Sequence, residues 1–395
     1  MGGFTGLDNR LNSMSALGKR FQTVMSKQFN PTAAAVANEW HTLFRGGGYP
    51  SADAIFDAGT NLLFQSVSDQ TASAGSLYHG GDVGADGDDY KILETAMVNT
   101  AAATVVPFWV QLIDLLGFIR VTSVTTTTAQ TVIWPYDTGS GIGGGETTTF
   151  SSSSGLLGTY TNDVQSLSKV RFRNSGGALP TGLTAGVDYY TIRVSATTSR
   201  FATSRTNAIA GTAIAYTDAG TGTNVIDVRL PRYSDGVGVD AMFFNPSATA
   251  LGAGTPQLTL GYQNGAGTAS RATPTSPSAP IGKTAATASH ILYTGATGAG
   301  KFGPAIPLQG ADSGIRSIQT IRNSATYTSG MYSVALFKRL GEPVPLQVLG
   351  QSVPWRFDGG VRVYDGAALY MIGKSGVATP ANSLIEAHLN FGWTS

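Results

Sequence analysis

The sequence predicts a mainly β chain: a β-sandwich or jelly-roll-like main domain, a short helical N-terminal arm and an inserted small β-module. Three observations predict it. Beyond residue 46 the apolar runs are short and separated by Gly, Ser, Asn, Asp and Pro, the pattern of many short strands joined by turns. Helical spacing of apolar residues is confined mostly to the first 45 positions. Between a Gly-rich lead-in and Pro231 lies a stretch with its own alternating segments. The resulting division is an arm at 1–45, a main β domain from 46–145 with 230–395, and the module at 146–229.

The arm comes first in the chain. Leu11, Met14, Leu17, Phe21, Val24 and Met25 recur at spacings of three and four, which predicts one apolar helical stripe with Lys19, Arg20 and Lys27 off it. Asn30 before Pro31 reads as a cap with Pro in the first turn, opening a second helix through Ala33, Val36, Trp40 and Phe44 that Gly46 to Gly48 end. The first 45 residues carry five basic side chains against two acids, a net of +3. Residues 46–94 carry eight acids against Lys91, a net of −7. Such asymmetry bears on association. The six stripe residues are therefore the candidate assembly arm, expected to clamp a neighbouring subunit rather than fold back on its own.

In the main domain, candidate strands include Val121 to Trp134, Leu258 to Tyr262, His290 to Tyr293, Met331 to Phe337 and Val361 to Tyr364. The clearest is the last, where Ile385, Ala387, Leu389, Phe391 and Trp393 alternate with Glu386, His388, Asn390 and Gly392. The uncharged stretch from Thr95 to Ile113 is diluted by Asn99, Pro107 and Gln111 and reads as a buried strand pair rather than a membrane span. No secretory apolar core occurs between Met1 and Val24, and Gly6 stands where a myristoylation signal wants Ser or Thr.

In the module, Val170 and Phe172 alternate with Lys169, Arg171 and Arg173; Gly176, Gly177 and Pro180 punctuate; Tyr190, Ile192 and Val194 alternate again. Ile214 and Val225 to Val228 supply further strand material. Thr138 to Gly158 and Ser270 to Ala288 are low-complexity runs that read as linkers or surface loops.

Composition sets the outer limits. Of 395 residues, 51 are Gly and only 12% are charged, against typical usage of about 7% and roughly 25%. With 42% hydrophobic residues the chain can bury a real core, which excludes bulk disorder. A net charge of +1 speaks against a general nucleic-acid partner. With no Cys, disulfides and thiolate metal sites are impossible.

A resemblance rests on Val170-Arg171-Phe172 through Gly177-Ala178-Leu179-Pro180-Thr181-Gly182-Leu183, then Tyr189-Tyr190-Thr191-Ile192, Phe201-Ala202-Thr203-Ser204, Asn207-Ala208 and Ala219-Gly220-Thr221-Gly222-Thr223. This segment resembles a small module inserted in virion proteins of tailed bacteriophages, in heads and tails alike. Arg232 to Gly238 and Asn390-Phe391-Gly392-Trp393 more loosely resemble phage virion proteins too. The resemblance implies a structural role and carries over no catalytic residue. The long helix-rich pattern of the common tailed-phage shell fold is missing from the sequence, which points away from the major shell protein.

Motifs of other classes break down on inspection. Gly295 to Lys301 matches the first seven positions of a phosphate-binding loop, but Phe302 stands where Ser or Thr holds magnesium, and Pro304 and Pro307 forestall the helix. Gly282-Lys283-Thr284 lacks the loop's first glycine, at Pro277. Gly139 to Gly144 has dinucleotide-fingerprint spacing but leads into Thr and Ser instead of a packed helix. Gly81 to Asp89 gathers carboxylates, yet Gly84 and Leu93 occupy ligand positions of a calcium loop, and a solvated acidic loop is the plainer reading. His41, His79, His290 and His388 are unpaired in sequence, and no Gly-x-Ser-x-Gly elbow occurs. Trp134, Tyr189, Tyr190, Tyr262, Trp355 and Trp393 are candidates for a sugar platform or for core anchors.

Three functional readings follow. The first is a virion structural protein, a capsid-associated or decoration head subunit with no cofactor or metal, whose partners are copies of itself and other virion proteins and not membrane. The second is a tail or fibre component that binds a host-surface glycan. The third, a glycan hydrolase, needs two facing carboxylates that the sequence gives no means to pair.

Overall fold

A computed structural model describes residues 20–29, 40–44, 47–50, 61–67, 76–81, 90–100, 107–124, 126–133, 145–151, 156–244, 257–274, 304–347, 353–376 and 383–393. The chain is mainly β, and its sheets are antiparallel throughout the described strand pairs. Strands are numbered in chain order. The chain packs as two compact units, one of Met1–Ala54, Gln70–Asp114 and Arg339–Ser395, the other of Ile55–Asp69 and Leu115–Lys338. Residues 146–229 lie wholly in the second unit, and residues 46–145 and 230–395 are shared between the two.

The first unit holds a five-stranded sheet in the order β20 (Val353–Tyr364), β5 (Tyr90–Thr100), β22 (Ser383–Gly392), β1 (Arg20–Phe29) and β3 (Gly48–Tyr49). On β22, Ile385, Ala387, Leu389 and Phe391 are fully buried while the residues between them face outward, so the alternation in the sequence is the alternation in space. A second layer begins at Phe108: the stretch of β6 (Phe108–Val124) up to Asp114 pairs β21 (Leu369–Ser375), which pairs β2 (Trp40–Thr42). Met25, Leu93, Leu112, Leu340, Leu369 and Leu389 belong to the unit's apolar core.

The helical arm is corrected here. Arg20–Phe29 is a strand, paired with β22 from Arg20↔Gly392 to Phe29↔Ser383. Phe21, Thr23, Met25 and Lys27 face inward and Gln22, Val24 and Gln28 outward, a period of two. Trp40, expected on a second helix, lies on β2 opposite Lys374. The physical reason is that a strand partnered along ten residues satisfies its amides across the sheet and buries one face in a core already formed by β22. The stretch from Thr95 to Ile113 contains the end of β5 and the start of β6, as expected of two strands, but they join different sheets and do not form a pair with each other.

The second unit contains the remainder of β6, whose Gly117–Ile119 stretch pairs β4 (Phe64–Ser66), and β15 (Val239–Phe244), which pairs β19 (Tyr327–Leu346) at Ser333 to Lys338. A four-stranded sheet runs β17 (Arg271–Ala272), β16 (Leu258–Asn264), β18 (Ile315–Asn323), β7 (Gln130–Thr131). Leu258 to Tyr262, Met331 to Phe337 and Val361 to Tyr364 are strand, as read; of Val121 to Trp134, only the end of β6 and β7 are strand among its described residues, and His290 to Tyr293 lies outside them.

Residues Glu146 to Val228 supply every strand of a seven-stranded sheet: β8 (Glu146–Thr147), β14 (Thr223–Val228), β11 (Lys169–Ser175), β12 (Asp188–Ser195), β13 (Thr198–Ala202), β10 (Leu157–Thr159) and β9 (Thr149–Ser151). The first strand, β8, lies against the last, β14, through Glu146↔Ile226 and Thr147↔Val225. Antiparallel partners stand about 5 Å apart, so the chain leaves this sheet where it came in.

Candidate functional site

The residues that carry the phage resemblance converge on one another in the seven-stranded sheet. Phe172 on β11 alternates inward past Arg171 and Arg173, and meets Phe201 at 4.8 Å between ring centres, Phe150 at 5.4 Å and Tyr189 at 5.7 Å. These edge-on and tilted pairs, with Tyr216 at 5.4 Å from Phe150, form the buried aromatic core. The opposite face is polar. Arg171 pairs with Asp188 directly across the strands, and Arg173 Nε reaches Asp227 Oδ2 at 3.1 Å.

At one end of the sheet the two glycine-bearing turns of the motif are packed backbone to backbone. Thr221 N donates to Ala178 O at 2.8 Å, Ala178 N donates to Thr221 Oγ1 at 3.1 Å, and Asn174 Nδ2 donates to Thr221 O at 2.7 Å. Gly222 has φ +71°, and a Cβ there would stand 2.6 Å from Ser175 O and 2.7 Å from Gly177 N. Only glycine fits that approach. Asp218 accepts from Thr181 N at 3.2 Å and Gly220 N at 2.7 Å; a bond from the Thr181 side chain, then these two, Gly220's first, hold its carboxyl below the usual range.

The remaining motif residues close further turns. Leu183 N bonds Pro180 O at 3.0 Å, and Thr184 N donates to Tyr189 Oη at 2.8 Å. Ser204 caps the helix α1 (Arg205–Ile209), accepting from Asn207 N at 3.1 Å. Nearer β8, the Glu146 carboxylate gathers the Thr161 and Asn162 amides, and buried Tyr160 bonds Ser199 at 2.6 Å, its phenol pushed up to about 12 chiefly by burial. The motif is thus a folding signature made of turns, a cap and an aromatic core. Every motif residue named above is engaged within its own sheet and turns.

Of the six predicted assembly residues, Phe21, Val24 and Met25 are described, all on β1. Leu11, Met14 and Leu17 lie outside the described residues. Met25 is in the core at 2% exposure, Phe21 packs at its margin 5.2 Å from Tyr78, and Val24 points away from it at 41% exposure. The three described members therefore lie on opposite faces of one strand.

Other candidates fare as follows. Gly295 to Lys301, Gly282 to Thr284, Gly139 to Gly144, Asp82 to Asp89, His290 and Trp134 lie outside the described residues. His41 is buried on β2, His388 is exposed on β22 opposite Val24, and His79 is buried beside Lys91. Tyr189 and Tyr262 are buried, so they present no platform, and Tyr190 lies under the Lys169 ammonium at 5.8 Å. Among the described residues no three His, Asp or Glu side chains are placed to hold a metal, and no helix is long and apolar enough to cross a membrane.

Sequence reading missed two features. Lys374 lies between Trp40 and Trp109, its Nζ 5.7 and 4.4 Å from the ring centres, in one cross-strand row. Asp312 accepts from Tyr262 Oη at 2.6 Å, Asn264 Nδ2 at 2.8 Å and Arg271 Nε at 2.9 Å; the Arg271 and Tyr262 bonds lead in lowering its carboxyl to about 2. Burial, and then the bonded carboxylate, push Tyr262 up to about 12. Alternation in the strands was the available signal for the first. For the second there was none, because Asp312 sits in a turn far from its partners in sequence.

No protein-family model matches the chain, and no curated protein does. Among solved structures it is similar to the infectious bursal disease virus VP2 subviral particle at 9% identity and a TM-score of 0.17, over 95% of this chain and 80% of that one. A likeness of that size carries no argument about fold or role.

Proposed function

We propose that this chain is a structural protein of a phage virion, a capsid-associated or decoration head subunit that works through contacts between subunits and turns over no substrate. The observation that carries the reading is the convergence of the phage-resembling residues into one sheet whose first and last strands are neighbours. That is the topology of a module set into a host domain, since an insertion whose ends meet leaves the host's strands where they were. The host part is read as β-sandwich or jelly-roll-like, with sheets that bury one face and present the other. Affinity in such a particle comes from many weak, symmetric contacts acting together. Its partners on this reading are further copies of the chain and other virion proteins.

The test is localisation on purified particles with an antibody raised against residues 146–229, followed by a particle map. Regular labelling of the head at symmetric positions is the expected result. Labelling confined to the tail would replace this reading with the host-binding one, and a glycan screen would then identify the ligand class. Absence from particles overturns both.

A further inference from the structure

The first unit contains a lysine that the proposed function does not use. Lys91 on β5 is 0% exposed, and Asp365, at 1%, sits in the turn after β20. Their proximity follows from register: Lys91 is opposite Val363, and a turn closed by Ala367 N to Tyr364 O at 2.9 Å folds Asp365 back over it. Lys91 Nζ stands 3.9 Å from Asp365 Oδ1, donates to Gly81 O, and is 3.0 Å from His79 Nδ1. The Trp393 ring lies 5.9 Å from the ammonium, and Phe391 packs 6.0 Å from the His79 ring.

The tautomer of His79 follows from its other nitrogen. Nε2 is 3.0 Å from Ala367 O, and a carbonyl only accepts, so Nε2 carries the hydrogen. Nδ1 therefore presents a lone pair to Lys91, placed to take a proton from it. A buried amine, a buried carboxyl group and a base in hydrogen-bond reach of the amine are the parts of an amide-forming site. Exclusion of water favours condensation here, since water is both the product and the reagent of the reverse reaction.

We infer that Lys91 and Asp365 join in an intramolecular isopeptide bond, with His79 as proton carrier. His79 Nδ1 takes a proton from the Lys91 ammonium, and the freed Nζ attacks Cγ of Asp365. The Nζ–Cγ bond forms and one Cγ–O bond breaks. The departing oxygen leaves as water with two of the three ammonium hydrogens, relayed through His79, and the amide keeps the third. Ammonium plus carboxylate becomes amide plus water, with no change of oxidation state and no co-reactant. The product ties the turn after β20 to β5 by a covalent link that survives unfolding.

Intact-mass measurement of the folded full chain tests this, with Lys91→Arg and Asp365→Ala as references. The wild-type chain is expected to be lighter by one water than its sequence requires, and both variants to have their full sequence masses. Trypsin cuts beside Arg45, Arg120, Arg362 and Lys374, so it should release a branched peptide joining residues 46–120 to 363–374. His79→Phe, which keeps the ring and loses the base, should slow formation by about a hundredfold or more, the usual worth of a positioned base. A folded wild-type chain at full sequence mass after prolonged incubation overturns the proposal whatever the variants do. A missing water that maps to any other peptide overturns it too.

Discussion

Replacing Phe172 by alanine measures how independently the seven-stranded sheet folds. The ring is 1% exposed and contacts Phe201, Phe150 and Tyr189 at 4.8–5.7 Å. Truncating a buried Phe costs about 3–5 kcal/mol through lost transfer energy and the cavity left behind. A unit of this size is stabilised by roughly 4–13 kcal/mol in all, so the variant sheet should stand close to unfolding, with a midpoint lower by about 15 °C or more. The five tryptophans, at 40, 109, 134, 355 and 393, all lie outside residues 146–229 and report on the rest of the chain. Calorimetry should show one unfolding transition shifted down by that amount while the tryptophan fluorescence transition stays within about 2 °C of wild type. If both transitions fall together, the sheet is part of a common cooperative core, and the reading of it as an inserted module fails. Phe172→Leu, with a smaller loss, serves the same comparison should the alanine variant not fold.

Three further outcomes follow from the geometry. Met25→Ala should cost about 2–5 kcal/mol in urea melts, whereas Val24→Ala one position away should stay within about 0.5; similar losses from both would restore a helical arm. Gly176 and Gly222 both have positive φ, but a Cβ at Gly176 meets nothing within 4 Å, so Gly222→Ala should destabilise clearly more than Gly176→Ala, by calorimetry. Asp312 titrates near 2 in the folded chain, below its ordinary 3.8, so the stability it contributes is complete above about pH 4 and lost as pH falls toward 2; Asp312→Asn should remove that segment of the wild-type acid-unfolding curve, and an unchanged curve refutes the assignment.

How much of this was legible depended on what each inward position carries. On β22 the buried positions are Ile385, Ala387, Leu389 and Phe391, all apolar, so the period of two was plain. On β1 they are Phe21, Thr23, Met25 and Lys27. Two of the four are polar, which hides the alternation, while Phe21, outward Val24 and Met25 imitate helical spacing. On β11 the alternation was again plain, because its buried positions Val170 and Phe172 are apolar. Lys91, His79 and Asp365 were not legible as a group, because their meeting depends on the pairing of β5 with β20, far apart in the chain. In the sequence Lys91 reads as the one base in an acidic stretch, which suggests solvent rather than burial.

The adjacency of β8 and β14 has a mechanical consequence. Tension carried along the main chain reaches the module at Glu146 and leaves it after Val228, and the two points are held together by a short antiparallel pairing. Pulled apart, such strands peel open one rung at a time, which demands far less force than sliding strands of comparable length past each other. The module would thus yield first and release about 280 Å of slack from its 84 residues, at about 3.4 Å each. Until that slack is spent, strands outside it bear only the low force at which the module pays out.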